Sequence, residues 1–314
     1  MTLRKNLAIS TSWNAFRFDD GRGLLFEISQ LGFKSIELSF YLSSIMVDEI
    51  ANLAPELKIS VDSVHNYCPI PEGFSRKQAL PDCYSLASLD NRERSLAVEY
   101  TKRSIDTAAR LGARVVVLHC GRVEMSDYIR PLISLYNQGA SDQTVFRELK
   151  EEMIRERNLK APAFLAQVLN SLDELNIYAV TKNVLLGVET RFYHREIPDF
   201  SEIGVILQKF KNSQIHYWHD TGHAQVMENL GFVKHKDFLD LYGANLIGVH
   251  LHDILGCQDH LAPLAGKMDF TMLKPYLKKD TLKVIEAHHP ATAEDLIKSH
   301  NFISELYDGS SQSS

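Results

Sequence analysis

Histidines and carboxylates recur in this sequence at one kind of position, the end of a short and otherwise apolar run. His65 closes "ISVDSVH", His119 stands near the end of "RVVVLHC", and Glu189 near the end of "VLLGVET". Asp220 closes "QIHYWHD" with His223 just beyond, His250 lies in "LIGVHLHD", and Glu286 in "LKVIEAH". His260 follows in the loop "GCQDHLAPLAGKMDF". Each has an ordinary explanation when taken singly: Asp220 could cap a helix, and Glu189 could pair with Arg191. Gathered at one place, unpaired charges would be costly to bury. A divalent cation held by mixed imidazole and carboxylate ligands removes that cost. Such an ion can polarise substrate oxygens or generate hydroxide. Within "QIHYWHD", His219 is adjacent to Asp220 and should face the other side of its strand, and His216 reads as structural.

The elements that would gather these residues are legible as an alternation. Strand-like runs fall at 6–13, 34–40, 59–65, 114–120, 184–190, 214–220, 246–253 and 282–288. Several are continuously apolar, as strands buried on both faces should be. Between them lie helical patterns such as "RERSLAVEYTKRSIDTAARLGA", with Leu96, Tyr100, Ile105 and Ala109 as its apolar residues and Gly112 as its stop. A second pattern is "PAFLAQVLNSLDELNI". This rhythm predicts an α/β protein, a single (β/α)8 TIM barrel, in which the C-terminal strand ends meet at one rim. A doubly wound open sheet is the competing architecture, but no GxGxxG or GxxxxGK[ST] string occurs. The barrel is expected over 1–308, with 309–314 as a disordered tail. Long loops follow strand 3 (66–91) and strand 4, the latter an insertion at about 121–160 that holds the charged run "FRELKEEMIRERNLK". That run reads as a solvated helix face. Both loops follow C-terminal strand ends, where a lid or a homo-oligomer contact would be built.

The apolar fraction of 45% and charged fraction of 24% are those of an ordinary globular protein. A formal charge of −6 argues against a nucleic-acid partner or an anionic membrane surface. The first residues lack the apolar core of a signal peptide, and no stretch is long and apolar enough for a bilayer. Cys68, Cys83, Cys120 and Cys257 are scattered and form no CxxC pair, which suggests reduced thiols and a cytoplasmic location.

The strings "VHNY", "VVVLHCG", "GVETR", "HDTGHA", "GVHLHD", "HLAPLAGKMDF" and "VIEAHH" resemble, in order and spacing, the xylose isomerase-like barrel superfamily. That group includes sugar and sugar-phosphate isomerases and epimerases, and endonuclease IV. The resemblance implies Glu189, Asp220, His250 and Glu286 as metal ligands, with one Mn²⁺-like ion in the isomerase and epimerase branch and His223 touching substrate. In the endonuclease branch it implies a second ion on His65, His119 and Glu189. A third ion there uses His223, His260 and an aspartate two residues before the latter. Here that place holds Gln258, with Asp259 one place later, so the third ion is put in doubt. Glu189 is followed by "TRF" and not the endonuclease's Asn-Thr-Ala-Gly, and "HCG" replaces its His-Pro-Gly.

The expected function is therefore a divalent-metal-dependent sugar or sugar-phosphate isomerase or epimerase acting through an enediolate. Glu189 and Glu286 would be the base and acid, and His223, Arg191, Trp13 and Lys267 the candidate contacts to a small carbohydrate. Mn²⁺ or Zn²⁺ heads the metal list, followed by Co²⁺ and Mg²⁺. The alternatives are a multi-zinc phosphoesterase in which His65 and His119 are essential, a metal-dependent dehydratase or lyase, and last a non-catalytic sugar-binding barrel.

Overall fold

The computed structural model describes residues 7–308. Asn6, expected in the first strand, and the expected tail 309–314 lie outside the described residues. The strands are β1 (Leu7–Ser10), β2 (Ser35–Leu38), β3 (Ser60–His65), β4 (Val115–Leu118), β5 (Leu185–Glu189), β6 (Ile215–Asp220) and β7 (Leu246–Leu251). An antiparallel hairpin, β8 (Asp253–Leu255) and β9 (Gln258–Leu261), precedes the last barrel strand, β10 (Leu282–Ile285). Strands β1–β7 and β10 close into a parallel barrel in the order β1-β10-β7-β6-β5-β4-β3-β2. All eight expected strands are present, several ending earlier than their apolar runs suggest. After β1 the reason is local: the Ser10 side chain accepts the Ser12 N–H and turns Thr11–Trp13 into a 3-10 helix.

The helices are α1 (Gly21–Gln30), α2 (Ser44–Leu53), α3 (Asn91–Leu111), α4 (Ile129–Asn137), α5 (Thr144–Lys182), α6 (Phe200–Lys209), α7 (Thr221–Asn229), α8 (His235–Tyr242) and α9 (Ala293–Asp308). Side-chain caps start most of the barrel helices: Asp20, Ser43, Asp90, Asp199 and Asp220 each accept an N–H of the first turn. Helix α3 ends where expected, with Gly112 at φ 71°. Its buried face runs through Ala97, Thr101, Ser104, Ile105 and Ala108, with Leu96 and Ala109 at its margins. Among the described residues no helix is long and apolar enough to cross a membrane, and all four cysteines are free thiols.

The insertion at 121–160 is more regular than a loop. It contains α4 and the first half of α5, a helix of 39 residues that passes through Pro162 without ending. The charged run is only in part a solvated face. Phe146 and Met153 turn inward and pack with Ile129 and Leu132 of α4 against Val226 of α7, Leu230 just after it, and Ile254 and Cys257 of the hairpin region. Arg157 is also buried, bonding Asp199 at 2.8 Å and Glu202 at 2.6 Å. The arm thus braces the hairpin that carries His260. Inside the barrel, Ala8, Val115, Val117, Trp218, Leu282 and Val284 form a separate apolar plug. Trp218 occupies the room left at Gly248, where a Cβ would come within 2.0 Å of its ring.

Candidate metal centre at the C-terminal rim

Strand alternation, with a period of two, aims one polar residue per strand at the same level above the Trp218 plug. Glu37 comes from β2, His65 from β3, Glu189 from β5, Asp220 from β6 and His250 from β7. His119 and Glu286 follow β4 and β10 directly. All seven are buried, none more than 8% exposed.

At the centre, one ligand atom from each of Glu189, Asp220, His250 and Glu286 lies within 4.8 Å of the others. His250 Nδ1 is 2.7 Å from Glu189 Oε1, 3.0 Å from Glu286 Oε2 and 3.7 Å from Asp220 Oδ2. Its Nε2 donates to both oxygens of Glu37 at 3.1 Å, and Ser63 Oγ donates to Glu37 Oε2 at 2.8 Å. Burial opposes a charge on His250, but Glu286 and Glu37, joined by Asp220 and Glu189, outweigh it and hold its pKa well above the ordinary histidine value. Burial likewise works against ionised Glu189, yet Arg191 and His119 keep its carboxyl well below the usual range. Asp220 is held low against burial by His223 and His252, and Glu286 by His250 and His260. Three carboxylates and one imidazole form the oxygen-rich, singly nitrogenous donor set that a divalent transition ion accepts, so the residues fit the metal that the rim pattern implies.

Further clusters flank this centre. On one side His119 Nε2 lies 2.6 Å and His65 Nε2 3.9 Å from Glu189 Oε2. Burial, aided by Arg191, pushes His119 down to about 3. On the other side are Asp220, His223, His252 and His260. His223 Nδ1 lies 2.9 Å from the Thr190 carbonyl oxygen, which can only accept; Nδ1 therefore carries the proton and Nε2 is free. That Nε2 faces Asp259 Oδ2 at 3.7 Å, and the same oxygen is 3.1 Å from His260 Nδ1. Gln258 is exposed, while Asp259 in β9 reaches between His223 and His260. His252, which sequence reasoning missed although it stands in "HLHD", accepts the His260 N–H on Nδ1 at 2.8 Å. Its ring proton therefore sits on Nε2 and is donated to Asp220 at 2.9 Å. His252 orients Asp220 and offers no free nitrogen of its own.

A cavity of about 140 Å³ opens over the centre, walled by Phe40, Pro81 and Phe192 and floored by His65, Glu189 and Glu286. Of the expected substrate contacts, His223 and Arg191 line it, although Arg191 is already committed to Glu189 at 2.6 Å and Glu196 at 3.3 Å. Two others lie outside the cavity lining. Trp13 is 1% exposed, bonded to the Ala291 carbonyl and packed into the core, with Arg17 stacked on it, so it offers no wall. Lys267 is exposed and outside the cavity lining, joined to the hairpin by its backbone N–H to Ile254. As expected, His219 faces the other side of β6, bonded to Tyr217 at 2.7 Å and to His235 at 2.9 Å. Glu37 is the principal omission. Its signal was an acid between Ile36 and Leu38 in the strand-like run "KSIELSF".

A family model described as xylose isomerase-like TIM barrel matches residues 25–306. A curated relative, an uncharacterized protein of Sinorhizobium fredii, is 27% identical over 57% of this chain and 47% of its own length. The chain thus spans about half the length of that relative. Among solved structures, a D-tagatose 3-epimerase-like protein superposes with TM-score 0.65 at 20% identity, covering 96% of each chain. A 3-keto-D-glucoside 4-epimerase from E. coli gives 0.67 at 14%, covering 96% of this chain and 99% of its own. The D-psicose 3-epimerase of Clostridium cellulolyticum H10 gives 0.67 at 13%, with the same coverages. At these identities the likeness establishes the fold.

Proposed function

The chain belongs to the xylose isomerase-like TIM barrel family, and from that premise we propose that it is a divalent-metal-dependent sugar or sugar-phosphate epimerase or isomerase. The observation that carries the reading is the buried cluster of Glu189, Asp220, His250 and Glu286 beneath a small rim cavity. The epimerases named by the solved relatives support the choice of substrate class.

The bound ion would polarise the carbonyl and neighbouring hydroxyl oxygens of the sugar, lowering the barrier to removing a proton from the adjacent carbon. Glu189 and Glu286 come from strands with β6 and β7 between them, so they reach the cavity from separate sides. One takes the proton and the other returns it, as general base and general acid. Arg191 and His119 on one side and His250 on the other favour the ionised, base form of each; whichever carboxylate returns the proton must first take one up from solvent. His223, with its free Nε2, holds a substrate hydroxyl. Phe40 and Phe192 exclude water from the reacting carbon.

The test is a panel of ketoses and ketose phosphates incubated with metal-loaded protein in D2O. Deuterium should appear at the carbon beside the carbonyl, and Glu189→Gln should abolish it. Unimpaired exchange in that variant would sink the assignment. A second reading, a multi-ion phosphoesterase, has its own support in the His65–His119–Glu189 cluster and in the reach of Asp259. It requires two or three ions per chain, with the count reduced by His65→Ala; the epimerase reading requires one, unchanged by that substitution.

A further inference from the structure

Glu37 is wholly buried in β2, and its hydrogen-bond partners are Ser63 and His250. An acid in such a place is a net cost to folding unless it does something an apolar residue could not, since well-packed apolar replacements for buried ionic groups are often neutral or stabilising. What distinguishes Glu37 is the atom it engages. His250 has two ring nitrogens, and the ring plane is fixed by Trp218, edge-on at 5.0 Å, and by His65, stacked at 5.9 Å. Neither contact tells nitrogen from carbon. Glu37 does, because only Nε2 can donate to it, and that leaves Nδ1 facing Glu189, Glu286 and Asp220.

We propose that Glu37, held by Ser63, is the positioning residue of the metal centre: by taking the Nε2 proton of His250 it presents Nδ1 to the ion and raises its basicity. This role rests on the metal-dependent reading above. Outer-shell carboxyl partners of metal-binding histidines typically contribute 10–100-fold to metal affinity. The side chain touches neither the cavity nor the carboxyl groups assigned to proton transfer.

The experiment is calorimetric titration of metal-free protein with Mn²⁺ and with Co²⁺, the latter followed also by its visible absorption, alongside thermal unfolding of each metal-free variant. In E37L, binding should weaken about 10–100-fold and the Co²⁺ spectrum should change. E37Q, whose carbonyl oxygen still accepts the Nε2 proton, should restore most of the affinity. Wild-type affinity in E37L would overturn the role, as would equal losses in E37L and E37Q. Should E37L fail to fold, S63A carries the test, with weaker binding expected and unchanged binding contradicting the proposal. Absence of binding by the wild-type protein would be a different failure, that of the metal-dependent reading itself.

Discussion

At the N-terminal ends of β2 and β3 a cavity of about 590 Å³ lies between α2 and α3, lined by Lys34, Lys58, Arg110 and aliphatic residues. At the opposite end, the cavity above Glu189, Asp220, His250 and Glu286 measures about 140 Å³. The larger space holds no histidine or carboxylate in its lining, and its one guanidinium is paired with Asp48 at 2.6 Å. The smaller is bordered by buried titratable groups from several strands. The difference follows from the direction of a parallel barrel. The loops that leave the C-terminal strand ends are free to lengthen, and the last inward-facing residue of each strand points into them. Convergence of donors, not volume, marks the C-terminal end as the candidate site.

That contrast can be broken by experiment. The largest effects should come from Glu189→Gln and Glu286→Gln, each lowering turnover by about 10²–10⁴-fold, the range of general acid–base catalysis. Metal affinity should come next. His250 holds its proton to well above the ordinary histidine pKa in the metal-free protein, and the ion must displace the proton on Nδ1. Affinity should therefore rise with pH by about tenfold per unit while that proton is still bound, and fall as the solution is acidified. Titrations from pH 6 upward would check this, and a flat profile would contradict it. A smaller effect is expected from His223→Ala, which removes one substrate hydrogen bond worth about 1 kcal/mol and so lowers kcat/KM several-fold at unchanged metal affinity. Smallest of all, Lys34→Ala and Lys58→Ala at the far cavity should leave turnover and metal binding unchanged and alter stability by less than about 0.5 kcal/mol. A loss of activity there would move the site to the other mouth.

How much was legible beforehand differs between the strands and what surrounds them. His65, His119, Glu189, Asp220, His250 and Glu286 could be read because a barrel strand is short, apolar and in phase, so a terminal polar residue stands out. Glu37 sits within its run, where a lone acid resembles an ordinary exposed strand position. His252 could not be assigned from order alone, since its role depends on which ring nitrogen meets the His260 N–H. Asp259 stands one residue from the spacing the resemblance implies, and only the β8–β9 hairpin shows that it faces His223. The charged run of α5 read as a solvated helix face because Phe146, Met153 and Arg157 make contacts only in three dimensions. Trp13 and Lys267 show the reverse, side chains of suggestive type that the fold aims elsewhere.

The central claim is that one divalent ion sits among Glu189, Asp220, His250 and Glu286. Crystals grown with Mn²⁺ or Zn²⁺ and measured across the metal's absorption edge would test it most directly. The account predicts a single strong anomalous peak bound by those four side chains, present also in His65→Ala. No peak there, or further peaks at His65–His119–Glu189 and at His223–Asp259–His260, would contradict it.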